Sequence, residues 1–186
     1  MHYGNIKFND IANGEGVRVS LFVSGCKNQC PNCFNRETWD FNYGNEFTEE
    51  VENKILTFLE KSYINGLTIL GGEPMEIENQ KAVRDFVLKV RTKFPNKNIW
   101  IYTGYLYDID LIREDGKRRT EYTMDILKNI DVLVDGRFVE KLKNLSLKFR
   151  GSENQRIILV QESLAKGEVV LSELNKFTNF KPMGVN

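Results

Sequence analysis

The chain has 186 residues, 41% of them hydrophobic and 28% charged, with 26 basic side chains balanced by 26 acidic ones. That size suits a single domain, residues 1–186, and the balance excludes the basic excess of a nucleic-acid binder. No apolar run approaches the ~20 residues that span a bilayer, and Met1-His2-Tyr3-Gly4-Asn5 is not the basic-then-apolar start of an export signal, so no membrane partner is expected.

Taken in order, residues 1–16 are polar and turn-rich. They read as a loop closing on Asn13-Gly14-Glu15-Gly16, whose glycines permit a tight turn or a close backbone approach. Val17–Val23 alternates and is rich in β-formers, which predicts a strand running into a cysteine-bearing loop. Thr48 stands where a helix cap belongs, with Glu49 and Glu50 at the positive end and Val51, Ile55, Phe58 and Leu59 at helical spacing. Leu67-Thr68-Ile69-Leu70 predicts a short buried strand that stops at Gly71-Gly72-Glu73-Pro74. A helix over 79–93 follows, through Val83, Phe86, Val87 and Val90, then a strand over 98–103 that leads into Gly104. Residues 113–120 form a charged turn, read as solvated despite three clustered basic residues. A short helix at Thr123–Asn129 precedes the strand Val132-Leu133-Val134, which stops at Asp135-Gly136. Residues 139–150 are lysine-rich and irregular, and 156–160 form the last clear strand. The tail from about residue 161, with Leu164, Val169, Val170, Leu171, Leu174 and Phe177, is left unassigned between strand and helix.

Strands alternating with helices predict βαβ units and an α/β fold. The expected architecture is an open partial (βα) barrel of about five or six mainly parallel strands, with its site at their carboxyl ends. That rim would receive Cys26-Lys27-Asn28-Gln29-Cys30-Pro31-Asn32-Cys33, which holds all three cysteines at C-x3-C-x2-C spacing. Three readings compete for them. Unrelated thiols clustered by chance is a weak one. A zinc knuckle would need the only histidine, His2, far upstream and outside the usual spacing. An iron–sulfur cluster held by Cys26, Cys30 and Cys33 suits three thiolates best, and it leaves one iron open to a substrate or cofactor. An odd cysteine count without an export signal points to a reducing, cytoplasmic setting.

C-x3-C-x2-C followed about forty residues later by Gly-Gly-Glu-Pro resembles the radical S-adenosylmethionine (SAM) superfamily. The resemblance implies a [4Fe–4S] cluster on Cys26, Cys30 and Cys33, and an open iron that chelates the amino and carboxylate groups of SAM. It makes Gly71, Gly72 and Glu73 the loop that receives the methionine amine, and it puts Thr103 and Gly104 in the SAM pocket. Many members carry an aromatic residue just before the third cysteine, near the adenine. Here Asn32 stands there and Phe34 follows the cysteine, so the adenine contact is left between these two candidates.

Further blocks come in a fixed order: Asn13-Gly14-Glu15-Gly16-Val17-Arg18, Trp100-Ile101-Tyr102-Thr103-Gly104, Asp131-Val132-Leu133-Val134-Asp135-Gly136-Arg137-Phe138 and Phe149-Arg150-Gly151-Ser152-Glu153-Asn154-Gln155-Arg156-Ile157. Over roughly residues 1–160 the chain is similar to the anaerobic ribonucleoside-triphosphate reductase activating proteins. That implies an enzyme, a radical SAM oxidoreductase served by a flavodoxin-like or other low-potential electron donor. Its 5′-deoxyadenosyl radical would take hydrogen from a glycine of the reductase's glycyl radical subunit, with no protein acid or base required. The alternative is another small radical SAM enzyme, either a different glycyl-radical activase or a deazapurine synthase. Among single residues, Asp135 reads as a ribose or cation contact or, equally, a cap. Arg18 reads as a carboxylate partner or a surface salt bridge. Arg150, Asn154, Gln155 and Arg156 read as a polar cluster meeting SAM or the partner's glycine loop, or as a turn. Tyr102, Tyr105 and Tyr107 read as packing.

Overall fold

The computed structural model describes residues 1–176, so Phe177 of the unassigned tail lies outside the described residues. In chain order the elements are β1 (His2–Asp10), β2 (Val17–Val23), β3 (Asn45–Glu46), α1 (Glu49–Leu59), β4 (Ile64–Gly71), α2 (Ile77–Lys93), β5 (Asn98–Tyr102), α3 (Thr123–Asn129), β6 (Val132–Asp135), β7 (Arg156–Leu159) and α4 (Val160–Lys166).

Two-residue alternation sorts the strands into two faces. Val19, Leu21 and Val23 of β2, Leu67 and Ile69 of β4, and Ile99 and Ile101 of β5 are fully buried toward the helices. Facing them are Ile55 and Leu59 of α1, Val83, Phe86, Val87 and Val90 of α2, and Ile126 and Leu127 of α3. Each such side chain stabilises the fold by about 2 kcal/mol. The other face carries Trp100, Val132, Val134 and Ile157, covered by Phe149.

The seven strands form one sheet in the order β3-β1-β2-β4-β5-β6-β7. Its four central strands run parallel, as expected. The edges do not: β1 is antiparallel to both β2 and β3, and β7 is antiparallel to β6. The parallel register sets Val23 beside Gly71 and Tyr102 beside Val134, while the reversed β7 sets Arg156 opposite Asp135. Four strand ends and one strand start therefore share a rim, the usual ligand-binding edge of an open α/β sheet.

The sheet has more strands than the five or six expected, and β1 is the main omission. Its inward residues Tyr3, Ile6 and Phe8 are only half-buried and alternate with exposed Asn5, Lys7 and Asn9. A half-wet strand with so many polar residues reads locally as a loop, and pairing with β2 is what makes it a strand. In the tail, α4 ends at Gly167, whose φ of 72° suits a glycine C-cap, and an isolated bridge joins Ile158 to Leu171. The charged turn is less solvated than expected, because Arg118 lies 4.5 Å from the Tyr105 ring centroid and 3.4 Å from the buried Glu76 carboxylate. Among the described residues no helix is long and apolar enough to cross a membrane.

Arg18 overturns its expectation most completely. It is fully buried and bonded to no carboxylate. Its guanidinium donates to the Thr68 hydroxyl (2.7 Å), the Asn98 side chain (2.5 Å) and the carbonyls of Leu67 (2.7 Å), Glu15 (3.1 Å) and Asn98 (3.2 Å). Burial lowers its pKa to about 10, so it stays charged at neutral pH. Gly14, at φ 131°, closes over it; a Cβ there would lie 2.9 Å from the Arg18 Cδ and 3.1 Å from the Trp100 ring. The Asn13–Gly16 turn, numbered 13–16, is thus the cover of a buried cation at the end of β2 opposite the cysteines.

Candidate functional site

The cysteine loop begins with Gly25, at φ 92°, where a Cβ would overlap the Phe41 ring at 2.2 Å. Backbone bonds from Gly25 N to the Thr38 carbonyl (2.8 Å) and from Cys26 N to the Trp39 carbonyl (3.3 Å) hold it against the following turn. Gln29 and Asn32, at φ 45° and 57°, curl the segment, and Cys33 N donates to the Cys30 carbonyl at 3.2 Å. All three thiols are free and half-buried. Burial pushes Cys26 up to about 12, with the Glu73 and Glu76 charges adding to it. A bound metal would reverse that, since coordination deprotonates a thiol.

The loop after β4 is fastened to this one. Gly72 N donates to the Val23 carbonyl (2.7 Å) and Glu73 N to the Gly25 carbonyl (2.9 Å). A Cβ on Gly72 would sit 2.8 Å from the Gly25 oxygen, so the two loops approach as closely as only glycine allows. The Glu73 carboxylate is buried and accepts four hydrogen bonds. One oxygen takes the Thr103 hydroxyl (2.7 Å) and Met75 N (2.9 Å); the other takes Gly104 N (2.7 Å) and the Asn28 amide (3.0 Å). Burial pushes its pKa up to about 7, against the hydrogen bonds from Gly104, Thr103 and Met75 that hold it down. Four donors fill its lone pairs. Neither carboxylate oxygen is therefore left free for a further donor. Glu76, equally buried, accepts from Lys27 N (2.8 Å) and the Tyr105 hydroxyl (2.7 Å).

These loops enclose a cleft of about 330 Å³ lined by Cys26, Cys30, Cys33, Asn32, Phe34, Gly71, Gly72, Glu73, Thr103 and Gly104. Sequence reasoning named all of these. Phe34 stands at the mouth, 87% exposed. Asn28, Trp39, Tyr102 and Phe138 also line the cleft and were not singled out as site residues. Tyr102 had a signal: it shares the Trp100 face of β5 and directly precedes Thr103. Its hydroxyl is buried without a hydrogen-bond partner among the described residues. Arg150, Gly151 and Gln155 line the cleft as well. Among the described residues no three His, Cys, Asp or Glu side chains converge as a single-ion site. Three free thiols around one cleft suit a cluster, which brings its own sulfides and takes cysteine ligands.

Residues 12–158 match the family described as a 4Fe-4S single cluster domain. The chain is 40% identical over 157 residues to the anaerobic ribonucleoside-triphosphate reductase-activating protein of Enterobacteria phage T4, covering 84% of this chain and 93% of that one. The protein of the same name from Vibrio cholerae is 41% identical over 151 residues, covering 80% and 91%. That from Escherichia coli K12 is 40% identical over 148 residues, covering 78% and 90%. This chain belongs to the anaerobic ribonucleoside-triphosphate reductase-activating protein family.

Asp135, Asn154 and Arg156, all expected at the site, lie outside the cleft lining of this family member. Asp135 is fully buried and grips Arg156 through both oxygens, at 2.9 and 2.5 Å, while also accepting from Tyr107 N at 2.8 Å. Arg156 donates further to Asp108 at 2.6 Å. The pair ties β6, β7 and the turn at 107–111 together behind the site. Asn154 is likewise occupied, donating to the Arg137 carbonyl at 2.8 Å. Arg137, given no role by sequence, donates to the Cys30 sulfur at 3.4 Å and to the Asn28 carbonyl.

Proposed function

We propose that this protein activates an anaerobic ribonucleoside-triphosphate reductase by reductive cleavage of SAM at a [4Fe–4S] cluster. The observation that carries the reading is one cleft lined by three free cysteines and by the fastened Gly71–Gly72–Glu73 loop. The shared family and the names of its relatives support the reductase as partner. A [4Fe–4S] cluster bound there would supply the electron, drawn from a flavodoxin-like or other low-potential donor, for cleavage of SAM to methionine and a 5′-deoxyadenosyl radical able to take a hydrogen atom from a glycine of the reductase.

The chain's own part is to hold and orient. Cys26, Cys30 and Cys33 would hold the cluster. The backbone of Gly71 and Gly72 receives the methionine amine, and Thr103 and Gly104 wall the same pocket, fixed there by Glu73. Asn32 and Phe34 flank the adenine side. Arg137, as a donor to the Cys30 sulfur, stabilises negative charge there. Orienting SAM beside the cluster would be a positioning effect and would need no proton transfer. The reading carries with it a sheet curved as a partial barrel around the cleft, and a cytoplasmic setting.

The test is anaerobic reconstitution with iron and sulfide, then SAM and dithionite, with and without an anaerobic reductase. Formation of 5′-deoxyadenosine together with a glycyl radical signal on the reductase is expected. Cleavage without a radical on the reductase would remove the partner, and no cluster at all would remove the cysteine assignment.

A further inference from the structure

Beside the cleft runs the connection between β6 and β7, residues 136–155, and its surface is unlike the rest of this neutral chain. It carries five basic residues against two acidic ones. Arg137 and Arg150 direct their guanidinium groups to main-chain carbonyls and the Cys30 sulfur rather than to carboxylates, and Lys143 makes a long ion pair, 3.9 Å, with Glu140. Interleaved with these cations are apolar side chains in solvent: Leu145 is 86% exposed, Leu142 40% and Val139 37%. Lys143 lies 5.6 Å from the ring centroid of Phe34, itself 87% exposed, which joins the connection to the cysteine loop. Phe138, Arg150 and Gly151 continue the same surface into the cleft.

Exposed apolar residues standing singly mean little, but a group of them on a connection with a net basic excess beside a cleft has the composition of a protein-docking site. We infer that residues 137–145 together with Phe34 dock an acidic stretch of the reductase that bears apolar side chains, and so deliver its glycine to the adjoining cleft. The inference rests on the function proposed above. Apolar anchors supply affinity, and the cations supply orientation and encounter rate. A glycine held in a protein loop needs such a handle, because it offers no side chain of its own to recognise.

The experiment measures anaerobic binding of the reductase to the cluster-loaded protein, and glycyl radical yield, for the parent, Leu145→Asp and the double variant Lys141→Glu/Lys143→Glu. These positions are on the surface and outside the cleft lining, so iron content and reductase-independent 5′-deoxyadenosine formation serve as controls and are expected to match the parent. Each variant is expected to bind at least about tenfold more weakly and to lose radical yield in proportion. Binding by the parent should also weaken as salt rises. Variants that bind as tightly as a binding-competent parent would overturn the docking surface and leave the proposed function standing. A parent that cleaves SAM but neither binds nor activates the reductase would overturn the proposed function, and this surface's occupant with it.

Discussion

At Glu73 a single carboxylate accepts four donors from three loops, and two of those donors are backbone N–H groups with nowhere else to turn. Glu73→Gln replaces one acceptor oxygen with an amide that itself donates, so at least one buried N–H loses its partner. The expected cost is about 2 kcal/mol, measured as a lower melting temperature of the cluster-free protein. 5′-Deoxyadenosine formation should fall as well. An unchanged melting temperature would show that the four bonds are not what secures the loops. Arg18 makes the contrasting case. Arg18→Met strands the Thr68, Asn98 and Leu67 acceptors in a buried site, and urea denaturation should show a loss of about 3 kcal/mol. Iron content of the folded fraction should not change, because Arg18 sits at the other end of β2. Its burial was illegible in sequence: an arginine in a polar turn looks like a surface charge until Gly14 and Trp100 are seen to enclose it.

The central strands and the helices were readable because each is long enough to show its period: Val17–Val23 alternates, and Val83, Phe86, Val87 and Val90 fall on one helical stripe. The short edge elements were not, since β1 is half-exposed and β3 has only two residues. Motif residues at strand ends were readable for a different reason: their chemistry demands particular residue types at particular spacings. Asp135 and Arg156 defeated that logic. Both end up at the right rim, but 21 positions apart in sequence they find each other, a pairing that no local pattern announces. At the level of elements the decisive contact is between two strand-end loops. Gly72→Ala would place a methyl group 2.8 Å from the Gly25 oxygen and 3.0 Å from that of Thr38. Both are backbone atoms, so the loops must part. Reconstituted iron content should drop well below that of the parent, while stability falls by only about 1–2 kcal/mol. Full iron loading in this variant would mean the loops tolerate separation.

Across the molecule, the core and the chemistry occupy different places. The main apolar core lies between the sheet and α1, α2 and α3, whereas the three thiols sit on the rim and contribute nothing to that core. Cys30→Ala is therefore expected to abolish SAM cleavage and leave the far-UV circular dichroism spectrum and the melting temperature of the cluster-free protein close to those of the parent. A collapsed spectrum would mean that the cluster loop is part of the folding nucleus rather than an addition to a finished sheet. The shared carboxylate has a last consequence. Because Glu73 joins the loops after β2, β4 and β5 into one rigid body, the conformational entropy of assembling the pocket is lost during folding rather than on ligand arrival. A small molecule meets a pre-organised receptor there.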